Sequence, residues 1–199
     1  QGDPAEIEAE EGRREGGLVL ERDADDVEGG ERGAGLEAQE GDVPRAHQLR
    51  LYKFSEHIWG CLPCLDVQKQ SIGFQRPKGA AGDDRYFSTW ILIPQAENPQ
   101  FAAQPQTRRM SAMFSRYGVD LLRRMAGVHD VLADNNVHGF SVVLSWLKPG
   151  TSRPGAQPVN ESVAAFIDKT TGLDYLERRI PHADFARRMR VVGFDGQTD

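Results

Sequence analysis

Val137-His138-Gly139-Phe140-Ser141-Val142-Val143-Leu144-Ser145-Trp146 alternates in character, with Phe140, Val142, Leu144 and Trp146 on one side. A two-residue period puts those four side chains on one face of an extended chain, so the segment predicts a strand lying against a core. Pro149-Gly150 terminates it, and residues 149–158, with three prolines and two glycines, predict a surface loop.

Upstream of this strand the period changes. Met110, Met113, Phe114, Tyr117, Leu121 and Met125 recur at offsets of three, four and seven, which predicts an amphipathic helix over 107–125, with Thr107 as N-cap and Gly127 as its end. Tyr86 to Ile93, closed by Pro94, predicts a second strand whose apolar last four residues suit a place inside the sheet. Residues 48–54 show Leu49, Leu51, Tyr52 and Phe54 in a β-favouring run and predict a strand; the Gly and Pro positions between Cys64 and Arg85 predict a loop. Downstream, Asn160 predicts a helix cap ahead of Val163, Phe166 and Ile167, with Gly172 as its breaker. Two further helical turns follow over 173–180 and from Pro181, and Arg190 to Phe194 predicts a closing strand. The expected architecture is α+β: a single domain with a mainly antiparallel sheet of about four strands and helices on one face.

Charge divides the 199-residue chain. Residues 1–44 hold 15 acidic side chains against four arginines, while residues 45–199 hold 15 acidic against 20 basic, so an acidic arm precedes a mildly basic body. The arm has no aromatic residue and one apolar cluster, Leu18-Val19-Leu20. Such a segment buries too little surface to offset the cost of ordering it, and only 17–21 reads as a possible short edge strand. No apolar run approaches the length of a membrane-spanning helix. Two cysteines in so long a chain exclude a disulfide-built scaffold, and the reading leans to a periplasmic or extracellular setting.

Few residues suggest chemistry. Trp59-Gly60-Cys61-Leu62-Pro63-Cys64 carries two cysteines three apart, which can exchange a disulfide, Cys61 attacking and Cys64 resolving. It resembles the active-site turn of the thioredoxin family, although Gly60 separates Trp59 from Cys61. The resemblance implies a long helix after Cys64, where Gly73 and Pro77 leave room for barely two turns. His57, Cys61 and Cys64 also have the residue types of a zinc site, with Asp66 or a distant histidine as fourth ligand. An inert pair of thiols or a structural disulfide explains the same letters. Asp130, Asp134, Asn135 and Asn136 near His129 could poise a cation or an acid–base pair, and they are equally what a helix-to-strand turn requires. No cofactor motif is present.

Arg109, Arg116 and Arg123 recur every seven residues, which on a regular helix aligns them opposite the apolar stripe. A pI near 5.4 for the whole chain argues against nucleic acid as their ligand. The expectation is a non-enzymatic interaction module that meets a protein partner with an acidic surface through a basic helix face. The alternative is a thiol–disulfide enzyme or zinc site at Cys61 and Cys64.

Overall fold

The computed structural model describes residues 42–61, 66–76, 85–93, 98–151 and 159–196. Five strands form one sheet in sequence order: β1 (Asp66–Gln75), β2 (Arg85–Ile93), β3 (Val137–Leu147), β4 (Asn160–Asp168) and β5 (Arg190–Phe194). All neighbours are antiparallel except β2 and β3, which run parallel. A parallel pair needs a crossover, and α2 (Pro99–Ala102), α3 (Gln106–Met113), a π turn (Phe114–Gly118), α4 (Val119–Ala126) and α5 (His129–Leu132) supply it. Helix α1 (Asp42–Cys61) precedes the sheet, and α6 (Lys169–Leu176) and α7 (His182–Arg188) join β4 to β5. The fold is α+β with a mainly antiparallel sheet, as the order of expected elements predicts; β2, β3 and β5 coincide with expected strands, while β1 and β4 do not and 48–54 is helical. Among the described residues no helix is long and apolar enough to cross a membrane.

The register sorts the sheet into two faces. Rows Phe74–Phe87–Phe140–Ile167, Ile72–Thr89–Val142–Ala165–Val191, Ile91–Leu144–Val163–Gly193 and Ile93–Trp146–Glu161 share one face. The helices attach to this face: Phe54 of α1 packs on Phe87 at 5.3 Å between ring centroids, and Phe101 of α2 meets Trp146 edge-on. Met110 of α3 lies against Gly193, and α6 brings Gly172 against Phe140 and Ile167. Phe87, Ile91, Phe140, Val142, Leu144, Trp146 and Ile167 are fully buried there, so hydrophobic burial on this face holds the sheet to its helices.

The other face is built differently. Its rows are Gln75–Tyr86–Gly139–Asp168, Gly73–Ser88–Ser141–Phe166–Arg190, Trp90–Val143–Ala164–Val192 and Leu92–Ser145–Ser162–Phe194. Hydroxyls in the middle satisfy one another: Trp90 Nε1 donates to Ser145 Oγ at 2.7 Å, Ser145 and Ser162 share a bond of 2.7 Å, and Ser141 donates to Gln75 Oε1 at 2.8 Å.

Three elements differ from expectation. Residues 48–54 belong to α1, because Leu51, Phe54 and Ile58 recur at helical spacing and turn inward, while Leu49 and Tyr52 stay more than half exposed. The stretch read as a loop after Cys64 contains β1. Residues 160–167 are β4: Glu161, Val163, Ala165 and Ile167 alternate inward, and the helix expected there starts only at Lys169. Gly172, read as its breaker, sits inside α6, where a larger side chain would strike the Phe140 ring. The helix over 107–125 exists but begins at Gln106 after Pro105, with no side-chain cap from Thr107. Gly127 ends it as expected. Pro149 and Gly150, the latter at φ 76°, form the turn after β3. The acidic arm, apart from its last residues, and the strand considered at 17–21 lie outside the described residues.

Candidate functional site

The arginine row meets the π turn. Five residues from Phe114 to Gly118 follow i+5 hydrogen bonding, which accommodates one extra residue and turns the helix beyond it relative to α3. The Phe114 ring occupies the space a side chain at 118 would need, with Cδ2 only 2.5 Å from a Cβ built there. Arg109 lies before the π turn, Arg116 within it and Arg123 beyond it, so no single regular helix carries the seven-residue repeat.

Arg109 instead points into the end of the sheet. Its side chain is 12% exposed and pairs with Glu161, which is 1% exposed, through both Nε (2.9 Å to Oε2) and Nη2. Trp146 Nε1 donates to the same Oε2 at 2.9 Å, and Arg109 Nη1 donates to the carbonyl of Gln104. A forked guanidinium matched to a carboxylate, with the remaining polar atoms engaged, is the arrangement in which a buried charge is tolerated. The pair fastens α3 to β4.

Arg116 and Arg123 remain at the surface with Arg108. The Arg116 guanidinium lies 5.2 Å from the centroid of the Tyr117 ring. Arg123 is 63% exposed, 3.4 Å from Asp120, and that carboxylate is held more closely by Arg124 Nε at 2.8 Å.

Cys61 is the last residue of α1, four positions after His57; Cys64 lies outside the described residues. The thioredoxin resemblance implies the reverse placement, with the dithiol ahead of a helix, but the element following Cys64 is β1. His57 Nε2 faces Arg124 Nη1 at 3.5 Å. Among the described residues no three His, Cys, Asp or Glu side chains gather closely enough to hold a metal ion.

The polar turn at 130–136 uses Asp134 as a hub. Its Oδ1 accepts from the backbone and side-chain nitrogens of Asn136 at 2.8 and 3.0 Å, and its Oδ2 lies 3.0 Å from His47 Nε2 of α1. Lys169 Nζ donates to the carbonyl of Leu132 at 2.9 Å beside it. The partner is His47 rather than the nearby His129, and no sequence spacing announces a pair 87 residues apart. These bonds join α1, the turn before β3 and the start of α6. The Asn136 amide, followed by the His47 hydrogen bond, holds the Asp134 carboxyl below the ordinary carboxylate range. A depressed carboxyl stabilises the fold above its unfolded pKa, and that contribution disappears as pH falls through the folded value. Urea melts of wild type and Asp134→Asn between about pH 3 and 6 are expected to converge toward the acid end, where the wild type alone loses this contribution. A constant gap between them across that range would contradict this role.

No family description, curated protein or solved structure matches the chain.

Proposed function

We propose that the domain is a non-enzymatic interaction module that binds an acidic protein partner, with Arg116 and Arg123, flanked by Arg108, as part of its contact surface. The supporting observation is the contrast along the crossover helices. Arg109 is withdrawn into a structural pair, whereas Arg116 and Arg123 stand at the surface, and Arg123 is only loosely held by a carboxylate that Arg124 already occupies. Guanidiniums left at a surface in this way exchange little for a new carboxylate partner, so charge complementarity there raises association rate and selectivity. The polar clusters at Asp134, at Glu161 and on the second face of the sheet are engaged in bonds that hold elements together.

The test uses the full chain and leaves Arg109 untouched, since a charge reversal there would report unfolding. Polyglutamate labelled with a fluorophore is the probe. Arg116→Glu combined with Arg123→Glu is expected to weaken its binding at low salt at least ten-fold, with an unchanged melting curve. Equal binding by the double variant and wild type would remove these arginines from the interface.

A further inference from the structure

We infer that the free edge of β5 accepts an extended acidic segment of the partner as a sixth strand, an inference that rests on the interaction-module reading and specifies its ligand. The sheet ends at β5, and among the described residues no strand pairs with its outer side. Its exposure supports an open edge: Arg190, Val192, Gly193 and Phe194 are all exposed, and Val192 and Phe194 are two of the four large hydrophobic side chains that remain so among the described residues. An edge strand presents every second backbone N–H and C=O outward, ready to pair with another chain.

Three features select the occupant. The row containing Arg190 ends in a positive charge, whereas the rows ending in Val192 and Phe194 carry only small or apolar residues on the two strands next to that edge, Val143 and Ala164 in one and Ser145 and Ser162 in the other. An antiparallel strand added here therefore places apolar residues opposite Phe194 and Val192, and a carboxylate opposite Arg190. Arg188, exposed just before the strand, extends the positive end. A second copy fits the slot less well, because antiparallel pairing of β5 with itself centred on Val192 sets Arg190 opposite Phe194 and brings no carboxylate to it. Met110 of α3 packs beneath Gly193, so the edge is backed by the core and adjoins the crossover helices.

The experiment uses the hexapeptide valine-threonine-valine-threonine-glutamate-glutamate and an otherwise identical peptide N-methylated at alternate residues, each titrated into the full chain. Strand addition needs peptide N–H groups, so the methylated peptide is expected to bind at least ten-fold more weakly. The unmodified peptide is expected to slow hydrogen exchange of backbone amides within 190–194, and Arg190→Glu is expected to lower its affinity at least ten-fold. Equal binding of the two peptides, or no added protection at 190–194, would overturn the inference. So would full protection of those amides before any peptide is added, as occupation by the chain's own residues 17–21 or by a second copy would produce. If both peptides bind alike and the Arg116/Arg123 double variant weakens both, the interaction module stands and only the strand edge falls. If neither peptide nor polyglutamate binds, both readings fall.

Discussion

Glu161→Ala is expected to destabilise the protein by about 3–5 kcal/mol, the cost typical of removing one partner from a buried ion pair. The reason lies in what remains. Arg109 keeps a guanidinium at 12% exposure without its carboxylate, and Trp146 Nε1, on a fully buried ring, loses its acceptor. Arg109→Met leaves a buried carboxylate with the Trp146 donor as its remaining named partner, and is expected to cost a similar amount. The two losses share one cause, so they are not additive. Replacing both residues together, Arg109→Met with Glu161→Leu, removes both buried charges and fills the space with apolar atoms. The double variant is therefore expected to be more stable than either single one. Denaturant unfolding of the wild type, Arg109→Met, Glu161→Leu and the double variant checks this, and additive losses would show that the pair is not the unit that matters. Trp146 offers an internal reporter, since its indole environment changes when Glu161 is removed.

This pair also shows what could be read from the letters and what could not. Spacing alone placed Arg109 with Arg116 and Arg123 because a regular helix repeats nearly every seven residues. The π turn at 114–118 breaks that repeat, and its local cause is the close packing of Phe114 on Gly118. Nothing in the hydrophobic period announces an extra residue in a turn. Strands β2, β3 and β5 were legible because no charged residue takes a buried inward position in them; β2 places only Thr89 among Phe87, Ile91 and Ile93. In β4 the first inward position is Glu161, which belongs there only because Arg109 and Trp146 meet it from elsewhere. A charged residue at an inward position hides the two-residue alternation and leaves Val163, Phe166 and Ile167 looking helical. Helix α1 was obscured for the opposite reason: exposed Leu49 and Tyr52 add apolar signal beside the true stripe of Leu51, Phe54 and Ile58. The candidate contact surface was half legible. Its arginines are visible in sequence, but which of them are consumed by structural carboxylates depends on partners 52 residues away. The β5 edge was visible as a strand and not as an edge, since strand order is a property of the assembled sheet.

The second large effect concerns glycine, where one substitution has very different expected costs at two places in the same sheet. At Gly139, where β3 pairs with the last residue of β4, an added Cβ would strike the carbonyl oxygen of Ile167 and come within 2.8 Å of Tyr86 Cε1 and 3.0 Å of Asp168 Cα. Two of those three atoms are backbone in a paired strand, where Gly139 stands opposite Asp168. The ring of Tyr86 lies across the same position to donate its hydroxyl to Asp168 Oδ1 at 3.2 Å. Relief would require the end of β4 to move away from β3, disturbing the ladder from its terminal pair inward. Gly139→Ala is therefore expected to cost at least about 3 kcal/mol, the upper end of ordinary overpacking penalties. At Gly193 the atoms in the way are Met110 Cε and Sδ, the far end of a flexible side chain beside an exposed edge strand. Gly193→Ala is expected to cost less than about 1 kcal/mol, since methionine adapts to irregular space and alanine restricts the unfolded chain. Adding Tyr86→Ala to Gly139→Ala discriminates the cause. If the backbone contact with Ile167 dominates, clearing the ring recovers little stability; a large recovery would mean that the aromatic ring, rather than strand spacing, fixes glycine at this position.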